Sequence, residues 1–278
     1  MPLFKLLKQL KTNKEMKFAK ELYNRNRILA NLGTAHLLIA VLLVIYLPFN
    51  HTVVTGLNSV IKPIKFALSI AIYSYTMAWF LYYLDDIKKV IRYSWVAVIS
   101  MCFEQLAITF QALRGQQSHF NHTTLFNGIV FGLMGVFILV LTLWTAYMAY
   151  LFIKQKIFTI SKPYVLSIRI GILYFVVFSM FGGYVAQQLG HTVGTADGGN
   201  GLPFIDWSTE YGDLRIAHFF GLHSLQLIPV IALLCSKYFK ENTTIKIIWL
   251  FSILYFSFII FVMVQALHGH PFITTSAY

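Results

Sequence analysis

Acidic side chains are scarce in this chain. Ten Asp and Glu stand against 22 Lys and Arg in 278 residues, and charged residues of both signs make up 12% of the sequence. A soluble domain carries about 25%, so a water-facing surface of ordinary composition is excluded. The formal net charge of +12 would suit nucleic acid, but a basic nucleic-acid face needs a soluble fold to display it. No nucleic-acid partner is expected. Cysteine is nearly absent too: Cys102 and Cys235 both fall inside apolar runs. That excludes a disulfide framework and a Cys-built zinc site, and leaves two small buried hydrophobes.

What the chain has instead is apolar length, with 58% hydrophobic residues. Seven apolar runs stand at about 28–48, 64–84, 93–113, 125–153, 164–189, 214–236 and 247–267, each reaching the roughly 20 residues a helix needs to cross a bilayer. The first run ends in Pro-Phe-Asn-His with no small-residue cleavage site, so it is expected to be retained and not a signal peptide. The fold class is therefore all-α, a polytopic membrane protein of seven helices.

Lys and Arg set the expected orientation. With the N-terminus inside, the inner side collects the eight cations of residues 1–27 and those at 88, 89, 92, 154, 156, 162, 169, 237, 240 and 246. Only Lys62, Lys65, Arg114 and Arg215 fall toward the outer side. This bias predicts N-inside and C-outside. The expected organisation is a basic cytoplasmic segment at 1–27, a seven-helix domain over 28–270, and a short outer tail at 271–278. The lysines of the first segment recur every three residues and spiral around a helix, which favours a topology signal over an amphipathic surface helix.

Spans three, five and seven end alike, in Gln-Ala-Leu-Arg-Gly-Gln, Gln-Gln-Leu-Gly-His and Gln-Ala-Leu-His-Gly-His. A shared left-handed glycine stop explains this; so does delivery of Gln and His to one rim. Gly128, Gly132 and Gly135 give span four a small-residue face suited to close packing. Gly182 and Gly183 either pack closely or clear space for a flat cofactor. The 192–212 loop lacks the spacing of a calcium or phosphate loop and reads as a turn-rich outer cap.

The expected topology gathers eight of the nine histidines at one rim, leaving His36 apart. Imidazole is the commonest metal ligand, and three histidines with an open position form a standard catalytic arrangement. His218 and His223 are five residues apart, about 140° around a helix, so they do not grip one ion together. The candidate ligands are His119, His191 and one of His218 and His223, for Zn, Fe or Cu without distinction. Hydrogen bonding is the competing role for each.

Glu104 is an acid within span three. Two readings stand open for it: a proton relay, or an interhelical hydrogen bond that positions the span. Gln111 and Arg114 continue its stripe. Gln188 on span five and Gln226 beside His223 are further lining candidates, and Pro229 is expected to kink span six and free a carbonyl. Lys62, Lys65, Arg114 and Arg215 would hold an anionic group, although snorkelling to lipid phosphates also explains the two lysines. Asp213 is expected to cap span six and stands with Glu104 and Arg215 among the candidate catalytic residues.

The run Asp-Gly-Gly-Asn-Gly-Leu-Pro … Trp-Ser … Gly-Asp-Leu-Arg-Ile-Ala-His-Phe-Phe-Gly-Leu-His-Ser-Leu-Gln, with Lys-Pro-Ile-Lys-Phe earlier, resembles bacterial multi-pass membrane proteins of unassigned activity. That resemblance implies a bacterial inner-membrane location and supplies no reaction. The expected function is a membrane-embedded metalloprotein, an oxidoreductase or hydrolase, acting on a lipophilic or anionic amphiphilic substrate within the lipid bilayer. Two alternatives are carried: a b-type haem electron-transfer protein, and a proton-coupled transporter or sensor.

Overall fold

The computed structural model describes residues 17–274; the lysines at 5, 8, 11 and 14 and the last four residues of the tail lie outside them. Seven helices are long and apolar enough to cross a membrane: α1 (Arg27–Tyr46), α2 (Ile61–Leu81), α3 (Ile87–Leu113), α4 (Leu125–Lys154), α5 (Lys162–Gln187), α6 (Leu214–Cys235) and α7 (Glu241–Leu267). A helical stretch at 17–25, a 3-10 turn at Leu47–Phe49 and two short strand pairs accompany them: β1 (Val53–Val54) with β2 (Leu57–Asn58), and β3 (Thr192–Val193) with β4 (Gly212–Asp213).

Polar side chains mark the starts of these helices by taking backbone N–H groups that no preceding carbonyl can reach. Asn26 accepts from Leu29 N, Asp86 from Lys89 N and Thr124 from Asn127 N. Pro163 opens α5, where its missing N–H costs nothing. The similar endings of spans three and seven do share one stop. Gly115 and Gly269 take left-handed φ of 66° and 78°, and the following N–H reaches back, Gln116 to Gln111 O and His270 to Gln265 O. Span five departs from them, because Leu189 and not Gly190 adopts the left-handed conformation, at φ 54°.

The helices pack mainly on their chain neighbours, with α5 on α6 and α1 on α2 the most extensive pairs; α7 also meets α5, and α3 meets α1. Gly221 lets α6 close onto the Phe178 ring, and Gly171 lies against the Ser224 and Leu225 backbone. The small-residue face of α4 is different. A Cβ at Gly132 or Gly135 would meet nothing within 4 Å among the described residues, and Gly128 faces only the His122 ring at 3.4 Å.

One face of α3 is buried along its length and carries Tyr93, Ala97, Ser100, Glu104, Ile108 and Gln111. Near its start, the Tyr93, Tyr73 and Thr145 hydroxyls hydrogen-bond together. Gln105 Nε2 reaches Pro63 O at 3.3 Å. The first turn of α2 therefore stands level with Glu104.

Candidate functional site

The ends of α3, α5 and α7 and the starts of α2 and α6 meet at one end of the bundle, under the 191–213 loop. Hydrogen bonds close the base of that loop. The β3–β4 pair joins Thr192 with Asp213 and Val193 with Gly212, and Leu214 N donates to His191 O at 2.9 Å. Asp197 folds back to accept from His191 N and Thr192 N at 3.1 and 2.9 Å.

Asp213 is fully buried. It caps α6 by accepting from Arg215 N at 3.0 Å, takes Ser208 N at 3.0 Å, and holds the Arg215 guanidinium through Nη2 at 2.7 Å. Asp206 binds the same guanidinium through its carboxylate at 3.1 Å and through its backbone carbonyl. Two carboxylates thus neutralise Arg215. Its first duty is to fasten the loop to α6, and the two acids that do this are both of the scarce type. A crevice of about 10 Å³, room for about one water, lies among His191, Thr195, Asp206, Ser208 and Arg215.

Three imidazoles stand near one another here. His119, on the loop after α3, lies within electrostatic reach of Lys62, His191 and His218, and its ring packs between Phe66 and Phe131. Each of the three has a hydrogen-bond partner at Nδ1: His119 has Ser118 Oγ at 3.0 Å, His191 has Thr192 Oγ1 at 3.2 Å with Asp197 Oδ1 also close by, and His218 has the Phe178 carbonyl at 2.8 Å. Among the described residues, no protein group hydrogen-bonds the Nε2 of any of the three. Holding one ring nitrogen and freeing the other is how proteins orient metal-ligating histidines. Gly182 is part of this device, because a Cβ there would lie 2.6 Å from His218 Cε1. The space that Gly182 clears is filled by the His218 imidazole, whereas a Cβ at Gly183 would meet nothing within 4 Å among the described residues.

Burial and the nearby cation Lys62 hold His119 well below the ordinary imidazole range. Burial first, and Arg215 next, push His191 down to about 4 against the opposite pull of Asp197 and Asp213. Both rings are neutral at pH 7. The folded value of His191 lies below the unfolded value of about 6.5, so on acidification the unfolded chain takes up the proton first. Stability present above about pH 6.5 is therefore expected to fall as pH drops toward about 4. The thermal midpoint of detergent-solubilised protein should decrease over that window, and His191→Gln should flatten the decrease. A midpoint in the wild type that does not move there would contradict this account.

Lys62 and Lys65 sit in the first turns of α2. Lys65 Nζ reaches Ile205 O at 3.4 Å. Lys62 feels Arg215, Lys65, Asp197 and Glu104, yet no carboxylate lies within 4 Å of it among the described residues. Glu104 is 2% exposed, and its Oε1 has no hydrogen-bond partner.

The other candidates fall outside this group. His223 packs on Phe219, with ring centroids 4.3 Å apart, and lies beside Gln226, which donates to Thr76 Oγ1 at 3.1 Å. Gln111 is buried but spent on Asn127 at 3.0 Å and on Arg114 at 2.8 Å. Arg114 lies over Phe110 and Phe126 and closes the α3–α4 corner. Gln188 is exposed at the end of α5.

Three partners were not singled out from sequence: Asp197, Asp206 and the Phe178 carbonyl. The two acids carried a signal in being two of only ten; a carbonyl acceptor carries none. Among the described residues, no three His, Cys, Asp or Glu groups come close enough together to hold a metal ion. His119 and His191 are tied to neighbours in their own segments, and His218 to the Phe178 carbonyl of α5. No family model, curated protein or solved structure matches the chain.

Proposed function

We propose that this is a membrane-embedded metalloprotein, and an enzyme, whose site at the 191–213 loop end acts on a lipophilic or anionic amphiphilic substrate. The observation that carries the reading is the common arrangement of His119, His191 and His218, each with a hydrogen-bond partner at Nδ1 and no protein partner at Nε2 among the described residues. Neutral imidazoles so oriented are ready ligands. No three such groups converge among the described residues; a Zn, Fe or Cu ion would take two of these imidazoles and leave its other positions to water and substrate. Such an ion would polarise a substrate oxygen or activate water. Lys62, the cation without a carboxylate partner, would receive the anionic group, with Lys65 beside it. Asp213 and Arg215 position His191 and the loop.

The same two-ligand count favours a second reading, haem b with two axial histidines. The His218 ring in the Gly182 space weighs against it. The Lys/Arg bias supports N-inside topology, which would put the site toward the outer leaflet; the resemblance of the loop motif supports a bacterial inner membrane.

Elemental analysis and an absorption spectrum of the purified protein test these readings together. The expected result is about one equivalent of Zn, Fe or Cu per chain with no Soret band, falling well below stoichiometric in His218→Ala. A Soret band would shift the reading to haem. Metal-free protein whose activity survives chelation would end it.

A further inference from the structure

We propose that Glu104 is the proton store of the histidine chamber, a carboxylic acid kept protonated inside the bundle that exchanges its proton with the chamber by way of Lys62. The inference rests on the chamber described above and assigns it a proton-handling residue.

A buried acid in a membrane helix is explained most simply by a hydrogen bond to another helix. The neighbouring residue makes that bond: Gln105 Nε2 joins α3 to Pro63 O of α2. Glu104 makes none. It is 2% exposed with Oε1 unpartnered, so it contributes nothing visible to holding α3 in place. A carboxylate left unpaired in such surroundings carries a large desolvation cost, which the neutral acid avoids.

Among the described residues, the one charged group whose field reaches Glu104 is Lys62, whose other charged neighbours are the chamber groups Arg215, Lys65 and Asp197. On α1, His36 turns its Nδ1 to the Leu32 carbonyl at 2.9 Å and lies beside the Met101 backbone, one turn before Glu104. Lys62 is therefore the charged neighbour that Glu104 and His119 share. In the exchange, the Lys62 ammonium gives a proton to the chamber and the resulting amine takes the Glu104 proton: the Glu104 O–H bond breaks, an N–H bond forms on Lys62, and carboxylate and ammonium stand as an ion pair until a proton returns from the chamber by the same route. The two groups are more than 4 Å apart, so one water or a turn of the lysine stem closes the gap.

Infrared spectroscopy of the full chain in nanodiscs tests this. Glu21, Glu210 and Glu241 are exposed, so a buried acid is distinguishable from them. At neutral pH, a carbonyl band of protonated carboxylic acid is expected that shifts on [13C]glutamate labelling and is lost in Glu104→Gln. In Lys62→Met, hydrogen–deuterium exchange of that band is expected to slow about tenfold or more. A labelled wild type with no such band, or an exchange rate unchanged in Lys62→Met, overturns the proposal. The isotope label reads the wild type directly, so the outcome stands even if the Gln variant does not fold. The metal content of the same sample reports separately on the metalloprotein reading.

Discussion

Asp213→Ala is expected to cost about 3–5 kcal/mol, the range seen when one partner of a buried ion pair is removed. The carboxylate is fully buried and has three separate duties: it caps α6, it takes the Ser208 N–H, and it neutralises Arg215. Loss of the cap alone is worth about 0.5–2 kcal/mol. The rest comes from leaving Arg215 with Asp206 alone in a largely buried position. Asp213→Asn keeps an acceptor for the backbone N–H groups and should fall between wild type and Ala. Thermal unfolding in detergent measures the ordering, and limited proteolysis should show the 191–213 loop cut first in the Ala variant. An Ala variant within about 1 kcal/mol of wild type would mean the network adds little beyond the cap.

The second large effect concerns Gly221. Replacing a helix-interior glycine by alanine ordinarily stabilises by about 0.5–1 kcal/mol. Here the new methyl would overlap the Cβ and ring of Phe178, on the helix pair with the most extensive packing. Phe178 cannot yield freely, since it is 2% exposed and its carbonyl anchors His218. Gly221→Ala should therefore destabilise by about 3 kcal/mol. It should also disturb the His218 site while leaving Arg25 in its aromatic setting of Trp79, Tyr82 and Tyr83 at the far end. Gly132→Ala is the control, because its methyl would meet nothing within 4 Å. Equal losses at the two glycines would show that the cost is not steric.

The seven helices were readable because hydrophobic length is a strong signal that survives without tertiary knowledge. Their caps were partly readable: Asp213 and the glycine stops of α3 and α7 follow local rules, whereas the left-handed Leu189 breaks one. The site was half readable. Residue type and position along the chain pointed to His119, His191 and Glu104. Helical angle correctly kept His218 and His223 apart, but only packing distinguishes the one facing Gly182 from the one lying on Phe219. Arg114 and Gln111 show the converse. They continue the Glu104 stripe in sequence, yet Asn127 across a turn captures both, and no periodicity announces such a partner. Gly132 and Gly135 have the right spacing for packing but no neighbour among the described residues, whereas Gly128 lies against His122.

Gly212 at the loop base presses against the backbone of Ala266, near the end of the last helix, so closely that a side chain there would overlap its carbonyl. That contact orders events during synthesis. The loop, its acids and His191 leave the ribosome well before α7 does, but their seat exists only after α7 has entered the membrane. The chamber is thus among the last parts of the molecule to close, and a nascent chain stalled before α7 would carry every candidate site residue without the surface against which they assemble.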